Sequence, residues 1–271
     1  MEIKYLQNIK GPKDVKKLKI CELECLADEM RYALVKKLSV HGGHIGPNLG
    51  FVEATVALHY VFSSPYDKMV FDVSHQTYCH KMLTGRAYAF LDESRYDEVS
   101  GYSNPKESVH DLFTIGHTST SVSLALGLAK ARNLAGGKEN VIAVIGDGSL
   151  SGGEALEGLD YAGEQTGNFI IVVNDNEMSI AENHGGIYKN LALLRETKGK
   201  AQNNLFKAMG LDYVYVDEGN DVEKLMEAFE SVKNTDHAVV VHVHTKKGKG
   251  LAIAENDPET YHSGGPFDPV T

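Results

Sequence analysis

Two short polar segments, each directly after an apolar run, carry the side chains best suited to chemistry in this sequence. The segment Gly-Asp-Gly at 146–148 follows one apolar run, and Asn-Asp-Asn at 174–176 follows the next. Asp147 offers a carboxylate and Asn176 an amide oxygen, which are hard ligands of the kind that Mg²⁺ takes in proteins. Because Mg²⁺ keeps few protein ligands and completes its shell with phosphates and water, the pattern predicts a magnesium diphosphate site.

The elements around these segments must bring them together. Residues 141–145 and 169–173 predict two buried strands, and residues 151–163 predict the helix between them. Such a unit forms a right-handed parallel crossover, so both strands end at the same edge of the sheet. The start of the helix after Gly148 then faces the same place, where its N-terminal amides favour a phosphate.

The same glycines also raise a dinucleotide alternative, which the sequence supports less well. A GxGxxG pattern that starts at Gly146 needs a third glycine at 151, where Ser151 stands. The second strand leads into Asn174 rather than into the acid that binds a ribose. No GxxxxGK[ST] segment is present, which disfavours a P-loop nucleotide hydrolase.

Further apolar runs predict an α/β fold with an open, mostly parallel sheet and helices on both faces. The strands read as continuous apolar runs, as expected when helices cover both sides. The remaining predicted strands are 69–73, 214–216 and 238–243. The predicted helices are 14–39, 51–62, 76–84, 118–135 after a Ser/Thr cap, and 221–232, while 91–111 and the tail from 246 read as loops. We expect one domain over residues 1–271.

The composition excludes several classes of protein. The 271 residues include 27 Lys and Arg against 37 Asp and Glu, a net charge of −10, which argues against a nucleic-acid or anionic-membrane binder. No apolar run approaches the roughly 20 residues that span a bilayer. The N-terminus lacks the apolar core of a signal peptide. Three cysteines are too few for a disulfide framework, so we expect a reduced cytoplasmic protein.

Five motifs in order resemble the thiamine-diphosphate-dependent transketolase superfamily. They are HGGHIGPNLG at 41–50, DVSHQTYCHK at 72–81, GHTSTS at 116–121, NDNEMSI at 174–180 and TKKGKG at 245–250, together with the Gly-Asp-Gly segment. Within that superfamily they resemble the N-terminal, diphosphate-binding domain of the 1-deoxy-D-xylulose-5-phosphate synthase family. The resemblance implies the thiamine-diphosphate-binding fold and two cofactors, thiamine diphosphate and Mg²⁺.

The resemblance also assigns roles to single residues. It implies that Asp147, Asn176 and the backbone carbonyl of Met178 bind the metal. It implies that the cofactor contacts His75, Gly116, His117, Thr118, Gly148, Ser149 and Asn176. It implies that His44, His117 and His262 move protons on substrate and intermediate, for which the neutral-range pKa of histidine suits them.

Each of these side chains also has an ordinary structural interpretation. His44 follows two glycines and would suit a loop, His75 and His117 would suit strand or helix ends, and His262 would suit an exposed tail. His242 and His244 alternate on a strand, where ordinary strand positions are more common than a metal pair. Cys21 and Cys25 lie four apart on a helix and are expected to be buried, while Lys246 and Lys247 are candidates for closing over the site.

The resemblance implies a transferase that joins decarboxylated pyruvate to glyceraldehyde 3-phosphate, a reaction of isoprenoid biosynthesis. In that family the chain continues into a pyrimidine-binding and a C-terminal domain, and a glutamate of the former promotes deprotonation of the cofactor at C2. We expect this sequence to be the diphosphate half alone, either a natural subunit or an excerpt. A separate pyrimidine-domain subunit, in a homo- or hetero-oligomer, would then be needed for activity. Glu154 and Glu157 are expected on the helix surface or at an interface.

Two alternatives stay open for the function. One is the N-terminal subunit of a split transketolase that acts on other sugar phosphates, and the other is a non-catalytic binding or regulatory paralogue. Departures from the family pattern weaken the substrate assignment: Ser74 replaces a glycine, Asn220 stands where a histidine is usual, and Leu251 replaces an aromatic residue.

Overall fold

Five parallel strands form one sheet in the order β1-β2-β3-β5-β4 in the computed structural model, which describes residues 1–270. The strands are β1 (Lys68–Phe71), β2 (Val141–Gly146), β3 (Phe169–Asp175), β4 (Asp212–Val216) and β5 (Ala238–His244). In the register, Gly146 of β2 lies opposite Asn174 of β3. The predicted α/β class and parallel sheet are confirmed, and the two polar segments of the sequence follow neighbouring strands.

Twelve α-helices of the described residues surround this sheet. They are α1 (Pro12–Val15), α2 (Ile20–His41), α3 (Ile45–Gly50), α4 (Val52–Val61), α5 (Tyr78–Lys81), α6 (Tyr88–Leu91), α7 (Ser121–Ala135), α8 (Gly153–Ala162), α9 (Gly186–Glu196), α10 (Leu205–Ala208), α11 (Val222–Val232) and α12 (Ala252–Asn256). None of them is both long and apolar enough to cross a bilayer. Short 3₁₀ segments cover Leu6–Asn8, Glu93–Glu98 and Asp147–Ser151, and a π turn covers Met82–Arg86.

Alternate strand residues pack into two separate apolar layers. Val144 and Val172 face the layer that includes α4 and α11, whereas Ala143 and Ile171 face the layer that includes α7 and α8. A strand buried on both sides has no polar face, which is why these strands read as continuous apolar runs. Helix α2 forms a further layer, since it packs outside α4.

The predicted helix 14–39 is wrong in one respect, because two helices share this region. Helix α2 begins at Ile20, where the Glu22 carboxylate accepts the amide of Lys19 at 2.8 Å and so caps the helix start. This start turns Leu23 and Leu26 toward the core. Cys21 and Cys25 are exposed instead of buried, while Cys79 is buried.

Three further differences concern segments near the sheet edge. Helix α7 begins at Ser121 without a cap from its own Ser or Thr, because the Asp72 carboxylate accepts the amides of Ser119 and Ser121, each at 2.9 Å. Helix α9 was not predicted. The tail from 246, predicted as loop, contains α12. For α7, a residue distant in sequence therefore completes the start of the helix.

Candidate active site

A cavity of about 340 Å³ lies beyond the carboxyl ends of β1, β2 and β3. Nine of the residues assigned by resemblance line it: His44, His75, Thr118, Asp147, Gly148, Ser149, Asn176, Met178 and His262. Gln76 and Lys247 line it as well. The position agrees with the rule that open parallel sheets bind ligands at this edge.

Asp147, Asn176 and Met178 form the corner of the cavity where a metal is expected. The Asp147 side chain is almost fully buried, and its Oδ2 accepts a hydrogen bond from Asn183 Nδ2 at 2.8 Å. The Met178 amide donates to Asn176 Oδ1 at 3.3 Å, which closes a tight turn through Glu177 at a φ of 69°. The corner therefore presents a carboxylate and an amide oxygen, both of them oxygen ligands.

The electrostatics of this corner favour a cation. Burial raises the pKa of Asp147 well above its ordinary value, and the nearby Asp175 carboxylate raises it further. A bound divalent cation would offset both effects by stabilising the ionised form. The described residues contain no cluster of three or more His, Cys, Asp or Glu side chains able to hold a metal. A carboxylate and an amide oxygen are ligands that suit Mg²⁺, which needs few protein ligands.

Asp175 has its own buried partners, which sequence reasoning missed. Burial alone would raise the pKa of Asp175, but the hydrogen bond and charge of His242, together with Arg195, lower it. His242 Nε2 lies 2.8 Å from Asp175 Oδ2, and Arg195 donates to the same oxygen at 2.6 Å. His242 Nδ1 lies 2.7 Å from the Tyr213 hydroxyl. His242 is therefore a buried hydrogen-bonding partner of the Asn-Asp-Asn segment. The sequence signal that could have revealed it is a polar ring within each of two neighbouring apolar strands, Tyr213 on β4 and His242 on β5.

Three histidines meet on the other side of the cavity. The ring centroids of His44 and His75 are 5.2 Å apart, and His262 lies 5.8 Å from His44 and 5.7 Å from His75. Burial lowers the pKa of all three, to about 3 for His75 and about 4 for His262. Neighbouring cations and histidines add to the effect on His75 and His262. These rings are neutral near pH 7, so each can donate one hydrogen bond and accept another.

Two atoms of this cluster lack partners. Nδ1 of His75 and Nδ1 of His262 are buried and make no hydrogen bond within residues 1–270. Buried polar atoms are nearly always paired in folded proteins, and an exception calls for a ligand or water. Because both atoms belong to residues that line the cavity, we take them as atoms that a bound molecule would satisfy.

Glycines of the segment 41–50 make room for the chain that carries His262 and Lys247. A Cβ on Gly42 would come within 2.6 Å of the Gly264 carbonyl oxygen, and a Cβ on Gly50 within 2.9 Å of that of Lys246. Gly43 and Gly264 pair as an isolated antiparallel bridge. Because these glycines have no side chains, the segment 41–50 can lie directly against the backbone of Lys246 and Gly264 at the cavity.

The Lys247 ammonium is buried beside the metal corner. It donates to the carbonyl of Ser179 at 2.7 Å and to that of Ile180 at 3.4 Å. Burial lowers its pKa to about 8, and the Asp147 charge partly opposes that shift. Lys247 thus fixes the turn after Met178 and places a positive charge at the cavity. Lys246, in contrast, is exposed and paired with Glu255.

The segment 116–118 lies mostly outside the cavity. Thr118 lines the cavity, whereas Gly116 and His117 are exposed and do not line it. His117 Nδ1 lies 2.9 Å from the carbonyl oxygen of Thr118. The assigned roles of Gly116 and His117 stay predictions. Glu154 and Glu157 are exposed on α8, and His244 pairs with Glu177.

The departures from the family pattern have local partners in this structure. Ser74 has a φ of 67°, and its hydroxyl donates to the Ile115 carbonyl and accepts the Ser103 amide, both at 2.9 Å. Asn220 donates to the Gly50 carbonyl at 3.0 Å and accepts the Lys246 amide at 2.8 Å. Both side chains therefore tie together loops at the cavity edge.

Comparison with known proteins decides the family. The family model described as 1-deoxy-D-xylulose-5-phosphate synthase matches residues 6–204 and 195–245. The chain belongs to the 1-deoxy-D-xylulose-5-phosphate synthase family. It is 43% identical over 304 residues to 1-deoxy-D-xylulose-5-phosphate synthase 2 of Geobacter sulfurreducens, covering 99% of this chain and 49% of the relative. It is 45% identical over 269 residues to the synthase of Listeria monocytogenes, covering 97% and 44%.

Solved structures agree on the fold. A transketolase from Campylobacter jejuni superimposes with a TM-score of 0.69 at 20% identity, over 94% of this chain and 44% of that one. A transketolase from Leishmania mexicana gives a TM-score of 0.66 at 19% identity, over 92% and 42%. At these identities the likeness shows the fold alone. The chain spans about half the length of the curated relatives it matches.

Proposed function

We propose that residues 1–271 are the diphosphate-binding domain of a magnesium-dependent transferase that uses thiamine diphosphate. Membership of the synthase family supports the cofactor, because that family depends on thiamine diphosphate. The observation that carries the proposal is one cavity with Asp147 and Asn176 on one side and the rings of His44, His75 and His262 together on the other. The cytoplasmic location expected from the sequence stays a prediction.

The residues divide the work between anchoring and proton transfer. Asp147, Asn176 and the Met178 carbonyl would hold Mg²⁺, and Gly148 and Ser149 would contact the diphosphate. When bound, thiamine diphosphate supplies a carbon nucleophile and an electron sink for cleaving and forming bonds next to a carbonyl. His44 and His262 would exchange protons with the substrate, and the unpartnered His262 Nδ1 suits that role.

We further propose the substrates and the partner. The reaction would be decarboxylation of pyruvate and transfer of the remaining two-carbon acyl group to glyceraldehyde 3-phosphate, as the resemblance of the motifs implies. The relatives are named as 1-deoxy-D-xylulose-5-phosphate synthases. The glutamate that activates the cofactor would come from a pyrimidine-binding domain outside these residues, on a separate subunit. The exposed Ile180 at the cavity mouth and the exposed segment 116–118 would then face that subunit.

A reconstitution experiment tests the reaction. The chain is mixed with a pyrimidine-domain partner, thiamine diphosphate and Mg²⁺, and pyruvate with glyceraldehyde 3-phosphate is compared with ketose phosphate donors. Product that forms with pyruvate as donor, but not with ketose phosphates, supports the synthase reaction. Turnover with ketose phosphates as donors, but not with pyruvate, would identify the split transketolase. Cofactor binding without any turnover would favour the non-catalytic paralogue. His262→Gln should lower turnover, and Glu157→Gln on the surface of α8 serves as its matched control.

A further inference from the structure

Within residues 1–270, three hydrogen bonds join the segment 41–50 to residues 75–78, which follow β1. Asn48 Nδ2 donates to the carbonyl oxygen of His75 at 2.8 Å, and Asn48 Oδ1 accepts the amide of Tyr78 at 3.1 Å. The Tyr78 hydroxyl accepts the amide of His44 at 3.3 Å. Two of the three bonds therefore belong to one side chain, that of Asn48.

The Asn48 amide also bonds to the other histidine of this pair. Its Nδ2 donates to the carbonyl oxygen of His44 at 2.7 Å. An amide NH₂ group has two hydrogens, so Asn48 uses one of them for His44 and the other for His75. Both acceptors are carbonyl oxygens, which requires the nitrogen of the amide to face them. Asn48 itself is 1% exposed, so water does not share these bonds.

We propose that Asn48 is a positioning residue that fixes the His44 ring beside the His75 ring for proton exchange with the substrate. The inference rests on the proposed function, in which His44 carries out that exchange. The two ring centroids are 5.2 Å apart, and both rings line the cavity together with Pro47, the neighbour of Asn48. Because one amide holds the backbones of both histidines, neither segment can shift against the other without breaking a hydrogen bond.

The metal corner does not share these bonds. The hydrogen bonds of the Asn48 side chain lead to His44, His75 and the Tyr78 amide, none of which is an assigned metal ligand. Loss of the Asn48 amide should therefore displace His44 while the diphosphate end of the cofactor stays anchored. A displacement of about 1 Å in a reacting group can lower a rate by about 100-fold. The expected signature is a fall in kcat without a matching loss of cofactor affinity.

Asn48→Ser tests this role, because a serine hydroxyl has one hydrogen and cannot donate to two carbonyl oxygens. The whole chain is labelled at histidine, and nuclear Overhauser contacts between the His44 and His75 rings are recorded with thiamine diphosphate and Mg²⁺. The variant should lose this contact and keep the wild-type affinity for thiamine diphosphate. In the enzyme reconstituted with a pyrimidine-domain partner, its kcat should fall by about 10- to 100-fold.

Asn190→Ser is the matched control. The Asn190 amide also joins two segments, since it donates to the Asn203 carbonyl and accepts the Leu205 amide, both at 2.9 Å, but it does not line the cavity. This variant should keep the ring contact and kcat. Tyr78→Phe is the second test, because it removes only the hydroxyl that accepts the His44 amide. It should weaken the ring contact and lower kcat in the same direction, whether or not Asn48→Ser folds.

The results separate the positioning role from the proposed function. The positioning role is wrong if Asn48→Ser keeps the ring contact and kcat, or if its cofactor affinity falls as far as kcat. Where Asn48→Ser does not fold, an unchanged contact and kcat in Tyr78→Phe lead to the same conclusion. In these cases the proposed function stands as long as His44→Gln lowers turnover. If His44→Gln turns over at the wild-type rate, His44 exchanges no proton, and both its proposed role and the positioning role are wrong.

Discussion

The carbonyl oxygen of Tyr261 lies 2.6 Å from the place that a Cβ atom on Gly46 would occupy, and it accepts the Gly46 amide at 2.8 Å. This contact joins the glycine-rich segment near the N-terminus to the tail near the C-terminus. His44 precedes Gly46 by two residues and His262 follows Tyr261, so the contact sets how closely the two histidines approach. Their 5.8 Å separation therefore depends on a position without a side chain.

Gly46→Ala should displace the tail and destabilise the fold. The added methyl group meets backbone rather than a flexible side chain, so we expect a loss of about 1–3 kcal/mol in the free energy of unfolding. Urea unfolding gives this loss, and the His262 ring resonances should shift because the ring moves away from His44. Gly127→Ala is the control, since its Cβ meets nothing within 4 Å on α7 and helix propensity favours alanine. Equal stability of the two variants would contradict the steric argument.

In the absence of metal, the buried Asp147 carboxylate should lower the free energy of unfolding relative to a neutral side chain at the same position. Because its folded-state pKa is raised, the ionised form disfavours folding once the pH exceeds the ordinary carboxyl pKa. At pH 7 without metal, Asp147→Asn should therefore raise the free energy of unfolding, by roughly 1–3 kcal/mol. Thermal melts should show the reverse order with Mg²⁺ and thiamine diphosphate, because ligand at about 1,000 times its Kd adds about 4.1 kcal/mol to the wild type alone.

His75 should make stability depend on pH on the acid side. Its folded-state pKa is lowered to about 3 from the model-compound value of 6.5, so the unfolded chain binds the proton first as the pH falls. Stability is therefore complete above about pH 6.5 and is lost between there and pH 3, by up to about 1.4 kcal/mol per pH unit. Urea unfolding of wild type and His75→Gln at pH 7, 6 and 5 isolates this contribution. The wild type should lose stability faster than the variant, and parallel curves would contradict the assigned burial.

Local sequence order was sufficient to predict the parallel sheet and to bring Asp147 and Asn176 to one edge of it. Apolar runs define strands by burial alone, and parallel crossovers place their ends together, so Asp147 and Asn176 could be brought to one edge without coordinates. The same reasoning cannot find partners that come from elsewhere in the chain. The Asp72 carboxylate that caps α7 and the Asn183 amide that binds Asp147 belong to no periodic pattern.

The helix boundaries predicted from the sequence were wrong for a related reason. The spacing of residues 14–39 fits one helix, but a side-chain cap at Glu22 and the separate helix α1 set the true start. Leu26, Met30 and Leu34 of the apolar spacing are buried. Cys21 and Cys25 then fall on the exposed side. The leucines and the methionine therefore follow the helical period, whereas the two cysteines lie on the opposite side and do not contribute to the apolar face.

A buried ion cluster anchors the loop that follows the 3₁₀ segment Glu93–Glu98. Asp111 accepts hydrogen bonds from Arg86 at 2.7 and 2.9 Å, and His80 Nε2 lies 3.2 Å from it. Burial would raise the pKa of Asp111, but the hydrogen bonds from Arg86 and His80 hold it well below its usual range. The same loop places the Tyr102 ring 5.8 Å from that of His44. The cluster therefore holds the loop that carries Tyr102 in place beside His44 of the cavity.

Asp111→Ala should disrupt this ion cluster and lower the free energy of unfolding. It removes one of the two carboxylates that pair with the buried Arg86, and Glu107 remains as the other. Breaking one side of a buried ion pair typically removes about 3–5 kcal/mol from the free energy of unfolding, and we expect a loss near the lower end because Glu107 stays. Asp97→Ala is the matched control, because Asp97 pairs with His41 at the surface, where such a pair contributes about 0–1 kcal/mol. Urea unfolding measures both losses, and limited proteolysis reports cleavage within 99–111. The anchoring role is refuted if the two variants lose similar stability and the loop stays protected, because the Asp111 carboxylate would then contribute no more than an exposed one.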